Sequence, residues 1–206
     1  ANVLWLVESQ YPDPQKSNQS QLSISAWAQY VLDNYATVAE AVTALEKEPF
    51  TLITDYVPGE KILTTLHLSL SDKNGDSAII EYINGKQVIH HDKKYQVMTN
   101  SPIFDQQLAL NSYWQQIGGT VMLPGTNRAA DRFARASFYI NAIPKNDNAK
   151  EAIASVFSVI RNASVPFGLN TEEEPNISST RWRTVADHKQ QLYFFESAVS
   201  PNVFWI

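Results

Sequence analysis

Residues 2–8 form a dense run of apolar and aromatic side chains (Val3, Leu4, Trp5, Leu6, Val7), the pattern of a buried strand. Residues 9–20 are polar and carry Pro12 and Pro14, which predicts a loop. Helical spacing follows over about 21–35, where Ile24, Trp27, Ala28, Val31 and Tyr35 share one face. A second helix is predicted over about 38–47. Val38, Ala41, Val42 and Leu45 fall at i, i+3, i+4 and i+7, Thr37 and Glu40 form a capping box, and Pro49 stops the helix.

Between residues 50 and 100 the period becomes two. Strand-like runs occupy 51–55, 62–71, 77–83, 87–91 and 95–99. Lys73-Asn74-Gly75-Asp76 and Asn84-Gly85-Lys86 separate three of them, and Asn-Gly between alternating strands signals a hairpin. An antiparallel meander over 62–99 is expected. Helical spacing returns over about 103–116, 127–142 (Ala129, Phe133, Ala136, Ile140) and 148–162 (Ile153, Val156, Phe157, Ile160). Residues 164–178 read as a polar loop holding Glu172, Glu173 and Glu174. Strands are predicted over about 179–187 and 190–196 around Asp187-His188-Lys189, with a last strand running to Ile206. Strands and helices in separate groups imply α+β layers rather than a doubly wound sheet. No repeat, low-complexity stretch or long linker divides the chain, so a single domain over 1–206 is expected. Both ends read as strands cut near the middle, or else as buried terminal strands.

Composition narrows the function classes. The 206 residues are 44% apolar and 18% charged, an ordinary globular balance. A net charge of −5 without a block of like charges argues against a nucleic-acid partner. The apolar runs are too short for a membrane-spanning helix, and ANVLWLVESQ lacks the basic start of a signal peptide. Cysteine is absent, which excludes disulfides, thiolate metal sites and a cysteine nucleophile supplied by these residues. His67, His90, His91 and His188 have no metal-ligand spacing, and neighbours His90 and His91 point to opposite faces of a strand. No metal is expected. Dinucleotide, P-loop and G-x-S-x-G motifs are absent. The N-x-[ST] patterns at Asn18, Asn162 and Asn176 are too short to carry weight.

Two segments carry candidate chemistry. Met98–Asp105 lies between a strand and a helix, where Asn100 can aim its amide at a developing oxyanion or simply cap a turn. Leu123–Phe133 begins with a Pro-Gly turn, offers Asn127 as a helix cap, and places Arg132 in the first turns. The helix dipole does not favour an arginine there, so Arg132 reads either as a surface residue or as one with a specific partner. Trp5 reads as core or as the wall of an aromatic pocket.

Together these segments resemble the choloylglycine hydrolase family, which contains conjugated bile salt hydrolases and penicillin V acylases among the N-terminal nucleophile hydrolases. Thr65-Leu66-His67, then Ser71-Asp72-Lys73-Asn74-Gly75-Asp76-Ser77-Ala78-Ile79-Ile80-Glu81-Tyr82, resembles its TLH…SDxxGxSxVVEY hairpin. Met98–Asp105 resembles its LTNSPTFD segment, and Asn111-Ser112-Tyr113 the NxY that follows. Leu123–Phe133 resembles its LPG…SRF segment, with Asp131 where serine is usual. Order and spacing agree across nearly the whole chain.

The resemblance implies a four-layer αββα sandwich of the N-terminal nucleophile hydrolase type, here incomplete at both ends. It matches Asn100 to the family's oxyanion asparagine and Arg132 to its active-site arginine. Trp5 stands where bile salt hydrolases have Asn and Gram-positive acylases Tyr. With Val7-Glu8-Ser9-Gln10-Tyr11-Pro12 after it, this end is closer to the Gram-negative acylase branch, and an indole suits an aromatic or long aliphatic acyl group. The implied activity is hydrolysis of a non-peptide linear amide: penicillin V or an N-acyl homoserine lactone ahead of a conjugated bile salt. The family nucleophile is an N-terminal cysteine with its own α-amino group as base, followed shortly by Arg and Asp. Residue 1 here is Ala, so the chain reads as an internal piece of a family member, inactive alone. The alternative is a non-catalytic member that binds acyl-amides or a protein; a Cys, Arg and Asp encoded upstream of Ala1 separates the two. The resemblance further implies no cofactor, a small-molecule acyl-amide partner, a homo-oligomer (tetrameric in many relatives), and a periplasmic or extracellular location.

Overall fold

The computed structural model describes residues 1–169 and 179–206. The acidic triplet Glu172–Glu174 and the pattern at Asn176 lie outside the described residues. Residues Ala1–Phe104 and Asp105–Ile206 gather into two compact units.

The first unit is built on a four-stranded antiparallel sheet. β1 (Asn2–Trp5) pairs with β4 (Leu66–Ser71), β4 with β5 (Ser77–Ile83), and β5 with β6 (Lys86–His91). The Asn-Gly signal is met: Asn84 and Gly85 both have positive φ, 53° and 74°, between the paired residues Ile83 and Lys86. That backbone twist suits a two-residue hairpin, and glycine adopts it without strain. In the β4–β5 turn the Asp72 carboxylate accepts from the N–H of Asn74 at 2.8 Å. Its other oxygen accepts from the N–H of Val38 at 3.0 Å, which ties the turn to the start of a helix.

That helix is α2 (Val38–Leu45), preceded by α1 (Trp27–Asn34). The capping box forms as the sequence predicts. Thr37 accepts from the N–H of Glu40 at 3.2 Å, and Glu40 reaches back to the Thr37 N–H at 3.2 Å. Trp27, Val31, Val38, Ala41, Val42 and Leu45 bury their shared face against Leu68, Leu70, Ala78, Ile80 and Tyr82 of the sheet. Alternation then turns His67, Ile79, Glu81 and His90 to the opposite face.

Glu81 is 1% exposed there, a charge inside the protein. His67 Nδ1 lies 3.1 Å from one carboxylate oxygen and His90 Nε2 3.5 Å from the other. The backbone N–H of Phe104 donates to both oxygens, at 3.0 and 3.1 Å. Burial alone pushes this carboxyl's pKa up, but the bonds from His67, His90 and Phe104 outweigh it and hold the pKa at about 2, against an ordinary 4.5.

Several predicted boundaries move, each for a local reason. The opening strand stops at Trp5 because the Ser9 N–H turns back to the Leu6 carbonyl at 3.1 Å. Gln21–Ser23 (β2) is not helical: it pairs in parallel with β3 (Thr51–Ile53), and a tight turn at Ile24–Ala26 leads into α1. β4 begins at Leu66, Leu63 making only a single bridge with Tyr56. The run 95–99 forms no strand. Asp92 turns the chain by accepting from the Lys94 N–H, and Tyr95 packs by its ring on His90 and Phe104 instead of by a backbone ladder.

α3 (Phe104–Ile117) starts on the last residue of the first unit and otherwise belongs to the second, where it, α4 (Ala129–Ala142) and α5 (Ala149–Asn162) precede the antiparallel strands β7 (Trp182–Asp187), β8 (Leu192–Ser197) and β9 (Ser200–Trp205). Asp187 sets the β7–β8 turn by accepting from the N–H groups of Lys189 and Gln190, at 2.9 and 3.0 Å. After α3, a Cβ on Gly119 would lie 2.2 Å from the Phe138 ring, so only glycine fits. α5 packs on α4 and β7. Its Arg161 meets the buried Glu196 of β8 at 3.0 Å, and Arg183 of β7 approaches the other oxygen at 3.5 Å. Among the described residues, no helix is long and apolar enough to cross a membrane.

Two outcomes follow from these contacts. Thr37→Ala should lower stability by about 1 kcal/mol, read from the urea midpoint. The lowered pKa of Glu81 means its stabilisation, about 3 kcal/mol for such a shift, is complete above pH 4.5 and fades as pH falls towards 2. Urea unfolding of the wild type and of Glu81→Gln should therefore give a stability gap that narrows between about pH 5 and about pH 3; a gap independent of pH would contradict a buried, ionised carboxylate.

Candidate active site

The site in the first unit is assembled where β1 ends. Leu6, fully buried, closes the edge of the sheet by donating its N–H to the Thr65 carbonyl at 3.0 Å. The chain then turns away, and the last β1 carbonyl is taken by a side chain distant in sequence: Asn100 Nδ2 donates to the Trp5 carbonyl at 2.9 Å. Ser101 Oγ accepts from the Val7 N–H at 3.2 Å. Two adjacent side chains thus dock the 98–104 segment on the outgoing end of β1. A primary amide carries two N–H donors in one plane, so fixing one on Trp5 fixes the plane of the other.

The far end of this segment is held as firmly. Phe104 is 2% exposed, its ring lies 4.9 Å from that of His90 and 5.0 Å from that of Tyr95, and its N–H is on Glu81. Asn100 is therefore half-buried in a loop clamped on both sides, and its side chain is tied across 95 residues to Trp5. Trp5 is half-buried too, and it meets Asn100 through its carbonyl.

Arg132 lies in the second unit, on the fourth residue of α4. Its Nε donates to the Asn127 carbonyl at 3.0 Å. Burial first, and then the nearby Arg135, work against its charge, but a guanidinium stays protonated under such pressure. The loop before α4 differs from the sequence reading. Asn127 does not cap the helix: α4 begins at Ala129, after Arg128, with no side-chain cap. Instead Asp131 reaches back from the first turn and accepts from the N–H and hydroxyl of Thr126, at 3.2 and 2.5 Å. A carboxylate there also complements the helix dipole, which accounts for Asp131 in place of the usual serine.

Sequence reasoning missed four contributors. Glu81 could have been found as the single charge in the apolar run Ser77–Ile83, where a strand covered on both faces leaves no solvent for it. His67 and His90 were considered only as metal ligands, yet they are the donors that flank Glu81. Arg135, 9% exposed, braces the Leu123–Phe133 segment by donating to the carbonyls of Pro124 and Thr126, at 2.7 and 2.8 Å. Among the described residues, no group of His, Asp and Glu is arranged to hold a metal ion.

Comparison with known proteins bears on this arrangement. The choloylglycine hydrolase family of linear amide C–N hydrolases matches residues 2–206. The chain is 63% identical to a penicillin V acylase of Pectobacterium atrosepticum over its whole length, which is 58% of that relative. It is 28% identical to a bile salt hydrolase/transferase of Clostridium perfringens, over 82% of the chain and 56% of the relative. Among solved structures, a penicillin V acylase from Agrobacterium tumefaciens superposes with a TM-score of 0.91 at 72% identity, over the whole chain and 62% of that structure. A conjugated bile acid hydrolase mutant from Clostridium perfringens gives 0.81 at 25% identity, over 99% of the chain and 68% of that structure. The chain thus spans less than two thirds of these curated relatives, and its mixed helix-and-sheet fold is of the N-terminal nucleophile hydrolase type. By sequence and by fold, the chain belongs to the choloylglycine hydrolase family of linear amide C–N hydrolases.

Proposed function

We propose that the intact protein hydrolyses a linear, non-peptide amide, penicillin V or a related acyl-amide, with Asn100 as its oxyanion donor. The observation that carries this reading is the Asn100 amide held on the Trp5 carbonyl at the end of β1. A fixed amide donates to a developing oxyanion without reorganising, and such a donor contributes about 3 kcal/mol to a transition state.

The nucleophile assigned by this reading is a cysteine outside residues 1–206. Its α-amino group takes the thiol proton, and the thiolate adds to the amide carbonyl carbon. The carbonyl oxygen becomes the oxyanion that Asn100 stabilises. When the C–N bond breaks, the departing amine takes the proton from the ammonium group and the acyl group remains as a thioester. Water, deprotonated by the α-amino group, then adds to the thioester carbonyl; the C–S bond breaks, the thiolate takes the proton back from the ammonium group, and a carboxylic acid is released. Arg132 supports the nucleophile or the amine side through its charge. Trp5 contributes to acyl selection, where an indole suits a phenoxyacetyl group or a long alkyl chain. The same reading takes the protein as a homo-oligomer in the periplasm or outside the cell.

Asn100→Ala in the intact protein should lower kcat on penicillin V by about 100- to 1,000-fold with an unchanged circular dichroism spectrum; near-normal turnover would refute the oxyanion role. Trp5→Ala should change the ratio of kcat/KM between penicillin V and a long-chain N-acyl homoserine lactone by about tenfold, a methylene-scale difference in pocket fit. An unchanged ratio would remove Trp5 from the acyl pocket.

A further inference from the structure

We propose that Glu81 is a positioning residue for the Asn100 amide, acting through the backbone N–H of Phe104 and touching neither substrate nor nucleophile. The inference rests on the oxyanion reading of Asn100. Residues 98–103 are neither strand nor helix, so no ladder of a regular element fixes them before α3 begins at Phe104. The segment is held at its start by the bonds from Asn100 to Trp5 and from Val7 to Ser101, and at its end by Phe104 on Glu81. Asn100 stands four residues from the Glu81 clamp, within reach of any shift there.

The clamp requires a carboxylate. The Phe104 N–H is shared between both oxygens, while His67 approaches one and His90 the other. A carboxylate accepts at every one of these positions. Glutamine has the same shape but one acceptor oxygen, so its NH₂ must face a donor. In a site where Glu81 is 1% exposed and Ile79 wholly buried, no water relieves that conflict. The segment's own attachment is the part able to yield, since His67 is fixed by pairing with Leu4 of β1 and His90 by pairing with Ile79 of β5.

The test is a double-mutant cycle in the intact protein with penicillin V as substrate. Glu81→Gln should lower kcat about 10- to 100-fold, the loss from displacing a catalytic group by about 1 Å, with KM within about twofold and with partial recovery in Glu81→Asp. The decisive variant combines Glu81→Gln with Asn100→Ala. If Glu81 acts through Asn100, the double variant is no slower than Asn100→Ala alone, because the group being positioned is already gone. Effects that multiply, or a Glu81→Gln variant at wild-type kcat beside a slow Asn100→Ala, overturn the positioning role and leave the oxyanion reading standing. A fast Asn100→Ala variant overturns the oxyanion reading and this proposal with it. If Glu81→Gln fails to fold, hydrogen exchange on Glu81→Asp decides: faster exchange confined to residues 98–104 supports the clamp, and unchanged exchange there overturns it.

Discussion

A single carboxylate, Glu81, buried on the face of the first sheet opposite α1 and α2, constrains how the first unit is assembled. A charge taken out of water is tolerated only when its oxygens are met by well-placed donors. The donors to Glu81 come from three stretches of chain: His67 on β4, His90 on β6, and the Phe104 N–H at the start of α3. Each must be in place for the charge to be stable. The strands therefore cannot slip by one residue, since that would turn His67 or His90 to the opposite face. The chain leaving β6 must also return to the middle of the sheet before α3 begins. The loop that returns it carries Asn100.

The same device recurs in the second unit. Glu196 of β8, 7% exposed, is met by Arg161 from α5 and Arg183 from β7, which pins the helix to the sheet. In both units apolar burial supplies the bulk of the stability, but it is indifferent to small displacements. The buried carboxylates are not, because a bond stretched or misaligned by a fraction of an ångström leaves a charge unmet.

Around the candidate site, backbone groups carry the geometry and side chains carry the chemistry. In the first unit the Trp5 carbonyl orients the Asn100 amide and the Val7 N–H holds Ser101; within the second unit, the carbonyls of Pro124 and Thr126 are fixed by Arg135. These backbone groups would otherwise be unpaired at strand ends and in turns, where neither helix nor sheet satisfies them. Pairing them with long-range side chains gives loops the rigidity of regular elements. Both Arg132 and Arg135 donate to carbonyls of the segment before α4.

The sequence by itself determined the elements whose signals are local. The Thr37–Glu40 capping box, the Asn84-Gly85 hairpin, the amphipathic faces of α1 and α2, and the antiparallel β4–β5–β6 meander all depend on neighbours within a few residues or one turn. Motif order was legible too, and it carried the family. The tertiary structure alone decided that residues 95–99 are not a strand, that Gln21–Ser23 joins β3 rather than a helix, and that Asn100 faces Trp5. It alone brought Glu81 to His67, His90 and Phe104. Strand propensity says that a side chain alternates but not whether a partner strand exists, and a charge in an apolar run says that it must be neutralised but not by whom. Those answers depend on groups 9 to 95 residues away, brought together only when the chain folds.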